Sequence, residues 1–190
     1  MKDQVNPAVV VLAGGGAQRM GGIDKCLLPW GQGTLLSNLL DQISLPVLMN
    51  AQPPHERFAD YDIHVAADKS AGGLGPLAGI EAGLLWARDQ GFDPLITLAG
   101  DMPTLPVDFF DRLLAAGDDQ TDIVLAADHQ GQVQPILGAW SVDVVPSLSQ
   151  ALKHGARKVR AFTDTQRFRV LPFEFDFINI NTQADYESLC

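Results

Sequence analysis

The sequence predicts an α/β fold of three layers, mainly parallel, with some antiparallel pairing in the C-terminal third. Three observations carry this: short apolar runs recur without polar alternation, segments of helical period separate them, and glycines follow the first run directly. A run lacking alternation suits a strand covered on both faces, as in a parallel sheet between helices.

In chain order, residues 8–13 form the first strand and VVVLAGGGAQRMGGIDK carries it into a glycine-rich loop. A helix is expected over 34–43, then strands over 46–50 and 63–66. The clearest helix is Pro76 to Gln90, where Leu77, Ile80, Leu84 and Leu85 repeat at helical spacing, Pro76 opens it and Gly91 lies just past its end. A strand over 95–99, a helix over 107–116 and a strand over 123–126 continue the alternation. DHQGQVQ then reads as a turn rather than a crossover, so the run 135–140 should pair antiparallel with its neighbour. Residues 167–173 suggest another strand, and 182–189 a closing helix with Thr182 as its N-cap.

A chain of 190 residues that is 46% hydrophobic has the size and apolar share of one domain, here 1–190. Thirteen basic against twenty-three acidic residues, a net charge of -10, oppose broad attraction to nucleic acid or an anionic membrane. Cys26 and Cys190 lie far apart in the chain without metal-type spacing, which fits a reducing compartment. The opening residues lack a signal-peptide core, and charges, glycines or prolines interrupt every apolar stretch, so a soluble, cytoplasmic protein is expected.

The loop after the first strand carries the strongest chemical signal. Gly14, Gly15, Gly16, Gly21 and Gly22 let backbone N–H groups approach an anion, while Arg19 and Lys25 bring positive charge. It is not a P-loop, because Gly22 follows Gly21 where that motif needs lysine. Nor is it a dinucleotide fingerprint, because Arg19 stands where the third glycine belongs. The bland alternative is an ordinary strand-to-helix turn with two solvated cations. In LITLAGDMPTLP, Asp101 follows an apolar strand directly, at the edge where open α/β sheets gather ligand-binding groups. Its carboxylate is a hard donor suited to Mg²⁺, though an Asp capping a turn ahead of Pro103 reads the same way.

LAGGGAQRMGGIDK resembles the signature loop of nucleotidyltransferases, and its Gly-Gly-x-Asp-Lys ending resembles molybdenum cofactor guanylyltransferases in particular. The likeness runs on through VLMNAQ, AADKSAGGLGPLAGI, LAGDMPTLP, GARKVRAF and FININTQADY in the family's order. It implies a Rossmann-like nucleotidyltransferase fold. The positions resembling Leu12, Ala13, Gly14, Lys25, Asn50, Asp68 and Asp101 would contact the guanine nucleotide, with Gly15 and Gly22 in the same loop, and Asp101 would hold magnesium. Gly79 resembles a glycine that leaves room near the site; close packing of a helix on the sheet would equally require it. Asp68 reads equally as a turn-stabilising residue.

Six of the thirteen basic residues follow position 150: Lys153, Arg157, Lys158, Arg160, Arg167 and Arg169. Most read as a solvated helix face and an exposed strand; the resemblance singles out Arg157 and Lys158. Asn179 and Asn181 offer amides suited to a pterin edge, but in an extended segment both cannot face one pocket without a bend. The four histidines have neither metal spacing nor an evident Ser or Cys partner.

The resemblance implies transfer of GMP from GTP to the terminal phosphate of molybdopterin, with Arg19, Lys25 and Asp101 as catalytic residues, Mg²⁺ as cofactor, and Arg157, Asn179 and Asn181 beside the pterin. Transient contact with cofactor-supplying and apo-molybdoenzyme proteins would accompany it. The rivals are a CTP-dependent enzyme acting on the same cofactor or on a sugar-alcohol phosphate, and a non-catalytic nucleotide or cofactor carrier.

Overall fold

The computed structural model describes residues 5–13, 24–68, 75–180 and 182–189. Its centre is a seven-stranded sheet in the order β5-β4-β1-β6-β8-β7-β9. These strands are β1 (Ala8–Leu12), β4 (Val47–Asn50), β5 (His64–Ala66), β6 (Leu95–Ala99), β7 (Ile123–Ala127), β8 (Val133–Trp140) and β9 (Phe168–Pro172); Pro29–Trp30 (β2) and Gly33–Thr34 (β3) form a separate small hairpin. Every residue of β1, β6 and β7 is buried, which is why these strands read as unbroken apolar runs.

Pairings β1–β4, β4–β5, β1–β6 and β7–β9 are parallel; β8 alone runs against its neighbours β6 and β7. The reversal follows from the turn foreseen in the sequence. Asp128 Oδ1 accepts from the backbone N–H groups of Gln130 at 3.0 Å and Gln132 at 2.8 Å, and Gly131 takes the positive φ of 80°. A connection that short can only fold the chain back on itself.

Helices cover both faces. Val9 and Val11 of β1 join a core with α1 (Leu35–Leu40) and α3 (Phe109–Ala116), whereas Ala8, Val10 and Leu12 join one with α2 (Pro76–Gln90), α4 (Val145–Lys153) and α5 (Val159–Thr163). The third layer and the parallel majority agree with expectation.

Some boundaries differ. α1 ends at Leu40 rather than Ile43, because Gln42 and Ile43 donate three residues back and tighten the chain ahead of Pro46. It begins with a capping box between Thr34 and Ser37. α3 starts at Phe109, two residues past the expected Val107, which is fully exposed. α4, α5 and the β2–β3 hairpin lie outside the expected elements; α5 has five residues and the hairpin two per strand. α6 (Gln183–Leu189) closes the described chain, and Thr182 caps it as expected: its Oγ1 accepts from Asp185 N–H at 3.1 Å while its own N–H donates to the Asp185 carboxylate at 2.8 Å. Among the described residues no helix is long and apolar enough to cross a membrane.

Candidate active site

The chain leaves β1 toward β4 and β5 on one side, then crosses back to β6 on the other, so the carboxyl ends of β1, β4 and β6 flank the point where strand order reverses. Open α/β sheets bind ligands there. The three ends are laced by backbone: Ala13 N–H donates to Asn50 C=O at 2.9 Å, and Gly100 N–H to Leu12 C=O at 3.0 Å. Leu12, Ala13 and Asn50 are therefore held side by side at this edge, with Asp101 directly after Gly100.

Asn50 is 3% exposed and its amide is spoken for. Nδ2 donates to Ala66 C=O at 3.2 Å and to Asp68 Oδ1 at 3.0 Å, which fixes the Asp68 carboxylate against the end of β4. On the other side of Asn50 lies Gly79, where a Cβ would sit 2.3 Å from Asn50 Oδ1 and 2.9 Å from Leu12 Cδ2. The close-packing reading of Gly79 holds: the helix approaches the sheet at Asn50 and Leu12, two of the candidate nucleotide residues.

Asp101 is half-buried. Removal from water pushes its carboxyl above the ordinary value of 3.8, while the nearby Lys25 ammonium and its own backbone N–H pull the other way. A partly desolvated carboxylate with a lysine nearby suits a hard cation that shares its remaining positions with water and phosphate oxygens. Among the described residues no group of three or more His, Cys, Asp or Glu side chains could hold a metal without such help. Lys25 sits in a 3-10 turn, Lys25–Leu27, whose middle residue Cys26 is buried under Gly100. Burial pushes the Cys26 thiol up to about 12, so it is a packing group rather than a nucleophile.

Asp101 also meets the C-terminal segment. Its carbonyl accepts from Ile180 N–H at 3.2 Å, and Asn179 joins Ala99, Asp101 and β8 residues Gln134 to Leu137 around a pocket of about 140 Å³. The reversed β8 presents its beginning, not its end, at this edge, and so brings Gln134 into the site. The sequence reading missed Gln134, placing the strand's start at Pro135, two residues after the observed Val133. A larger pocket of about 270 Å³ lies at the opposite end of the strands, lined by Asn6, Asp93, Asp118 and Asp122; Asp118 and Asp122 there are paired with Arg169 and Arg167. The convergence of strand ends at the reversal of strand order, not pocket size, locates the candidate site.

Arg157 is exposed; its guanidinium donates to the adjacent Ala156 carbonyl at 2.9 Å, and its own carbonyl lies 3.4 Å from where a Gly75 Cβ would stand, at the start of α2. It thus reaches the same sheet edge without touching the Asp101 pocket. Arg160, Arg167 and Arg169 pair with Asp164, Asp122 and Asp118, which bears out the solvated-surface reading for those three. Gly14, Gly15, Gly16, Arg19, Gly21, Gly22 and Asn181 lie outside the described residues.

Residues 9–169 match the sequence profile of the MobA-like NTP transferase domain. The molybdenum cofactor guanylyltransferase of Mesorhizobium japonicum is 35% identical over 190 residues, spanning 94% of this chain and 91% of that protein. That of Bradyrhizobium sp. is 38% identical over 188 residues, spanning 93% and 88%. The crystal structure of molybdopterin-guanine dinucleotide biosynthesis protein A from Archaeoglobus fulgidus superposes with a TM-score of 0.77 at 23% identity, covering 95% of each chain, a likeness of fold.

Proposed function

The chain belongs to the MobA-like NTP transferase family, and from that membership we propose that it transfers GMP from GTP to the terminal phosphate of molybdopterin, with residues 1–190 acting as one nucleotidyltransferase domain. An oxygen of the pterin phosphate attacks the α-phosphorus of GTP; the new P–O bond forms as the bond to the bridging α–β oxygen breaks, and pyrophosphate leaves with the electron pair. The nucleophile is already ionised near neutral pH, so no strong base is needed. Catalysis becomes a matter of alignment and of charge neutralisation on the departing pyrophosphate.

The observation that carries this reading is the convergence of Leu12, Ala13, Asn50 and Asp101 at the strand ends, with the Lys25 ammonium near enough to lower the pKa of the Asp101 carboxyl. Asp101 would hold a magnesium ion, which when bound supplies positive charge to the phosphate oxygens. Lys25, with Arg19 and the N–H groups of Gly14, Gly15 and Gly22, binds the polyphosphate. Asp68, aimed by Asn50, accepts from the N–H edge of guanine, an edge that a purine pocket must satisfy. Asn179 and Gln134 face the acceptor, joined by Arg157 and Asn181. Transient docking to the proteins that supply molybdopterin and receive the product completes the reading.

The test is pyrophosphate release with Mg²⁺, molybdopterin or its molybdenum-bound form, and GTP, CTP, ATP or UTP in turn. Pterin-dependent release with GTP alone is expected. Preference for CTP would keep the mechanism and replace the product, and binding without release under any nucleotide would turn the protein into a carrier.

A further inference from the structure

Arg57 follows β4 on the stretch 51–58, 33 positions from Asp24 in sequence, yet the two side chains form an ion pair through Arg57 Nε and Asp24 Oδ2. The guanidinium is held from two further directions: Nη2 donates to Gln52 C=O at 2.8 Å, and the group lies 4.5 Å above the ring of Phe58, itself 2% exposed. Both partners are largely withdrawn from water, with side-chain exposures of 23% for Arg57 and 14% for Asp24.

Asp24 occupies the N-cap of the turn Lys25–Leu27, where a carboxylate ordinarily accepts from the turn's own N–H groups. Here it makes no such bond. Its backbone still closes the turn, with Leu27 N–H donating to Asp24 C=O at 2.9 Å and Leu28 N–H to Lys25 C=O at 3.0 Å. Lys25 is thus bracketed by two fixed neighbours: Asp24, tied to Arg57, and Cys26, 3% exposed beneath Gly100. A lysine has a long, rotamer-rich stem, and anchoring the backbone on both sides reduces the freedom it must lose to meet a phosphate.

We propose that Arg57 is a positioning residue for Lys25, acting through Asp24, so that the stretch after β4 sets the aim of the phosphate-binding lysine. The inference rests on the assignment of Lys25 to the polyphosphate. An ion pair serving only stability would cost folding energy when broken and leave turnover per folded molecule alone.

A double-mutant cycle separates these. Wild type, Lys25→Ala, Arg57→Ala and the double variant are compared by pterin-dependent pyrophosphate release and by affinity for N-methylanthraniloyl-GTP with magnesium chloride, well below each variant's melting temperature. Arg57→Ala is expected to lower turnover about tenfold where Lys25 is present and less than about twofold where it is absent. Should Arg57→Ala not fold, Arg57→Lys keeps the charge without the forked geometry and should show a smaller loss with the same dependence on Lys25. Equal losses in both backgrounds, or no loss, overturn the inference while leaving nucleotidyl transfer intact. A Lys25→Ala variant with normal turnover removes Lys25 from the mechanism and the inference with it.

Discussion

Across β5, β4, β1 and β6 the strands run one way, and backbone hydrogen bonds between their carboxyl ends set Leu12, Ala13, Asn50 and Asp101 in place. Across β8, β7 and β9 a hairpin reverses one strand, and the site receives Gln134 from the start of β8 and Asn179 from the segment beyond β9. The first region is preorganised by the sheet itself. The second depends on a turn and on a chain end docked by side chains. Under the proposed function these are the nucleotide side and the acceptor side, with Asp101 shared between them, and substitutions should sort accordingly.

Asp101→Asn, at the shared point, should have the largest effect: turnover with either substrate saturating falls by on the order of 10²–10³, as for loss of one well-placed charge-stabilising group. The same change should not destabilise the metal-free protein. Burial raises the Asp101 carboxyl above 3.8, so the folded chain binds that proton more tightly than the unfolded one. Stability from this group is present below the unfolded value and is lost as pH rises through the folded value. Near neutral pH, in chelator, the Asn variant should therefore melt at the same temperature as wild type or higher. A clear drop in melting temperature would mean that the charged Asp101 holds the fold together rather than waiting for a cation.

Two glycines of α2 sharpen the nucleotide side. A Cβ on Gly83 would meet Val10 Cβ at 2.9 Å and Leu95 Cδ2 at 3.0 Å, both in the core, whereas a Cβ on Gly79 would strike Asn50 Oδ1 at 2.3 Å. Both Gly→Ala changes should cost about 1–3 kcal/mol from overpacking, read from denaturant melts. Only Gly79→Ala should also raise the KM for GTP, by about tenfold, equivalent to ~1.4 kcal/mol. Equal KM values would separate Asn50 and Asp68 from the nucleotide.

On the acceptor side, Gln134→Ala and Asn179→Ala should each raise the KM for the pterin about five- to tenfold, the worth of roughly one hydrogen bond, with the KM for GTP unchanged. A shift in the GTP value instead would merge the two regions into one pocket.

The same division governed what the sequence disclosed. Strands buried on both faces leave unbroken apolar runs, so β1, β6 and β7 were legible almost to the residue, and α2 carried its own start and stop in Pro76 and Gly91. Asp101 was readable as a candidate because it stands two residues past the end of β6. α5, with five residues, left no comparable mark and is held by contacts with β8, whereas α4 does carry a proline in its first turn, Lys153 in its last and Gly155 just beyond, a signal the reading of apolar runs passed over. Gln134 entered the site through the direction of β8, which a list of apolar runs does not encode. The Asp24–Arg57 pair was invisible for the same reason, because only the fold brings positions 33 apart together.

The smallest expected effect lies at the end of the acceptor side. α6 has seven residues, too few to persist alone in water, and is held by its Thr182–Asp185 cap, by Tyr186 Oη donating to Pro29 C=O at 2.6 Å, and by Ile180 packed with Leu28 and Leu35. Thr182→Ala removes the side-chain half of the cap and should cost about 1 kcal/mol locally. Amide exchange in α6 should quicken about fivefold while β1 and β6 exchange as before, because their protection requires opening the whole sheet. Turnover should fall less than about twofold, since Ile180 still donates to the Asp101 carbonyl and Tyr186 still tethers the helix. A larger loss would place α6 among the elements that set the acceptor pocket and extend that side of the site to the last helix of the chain.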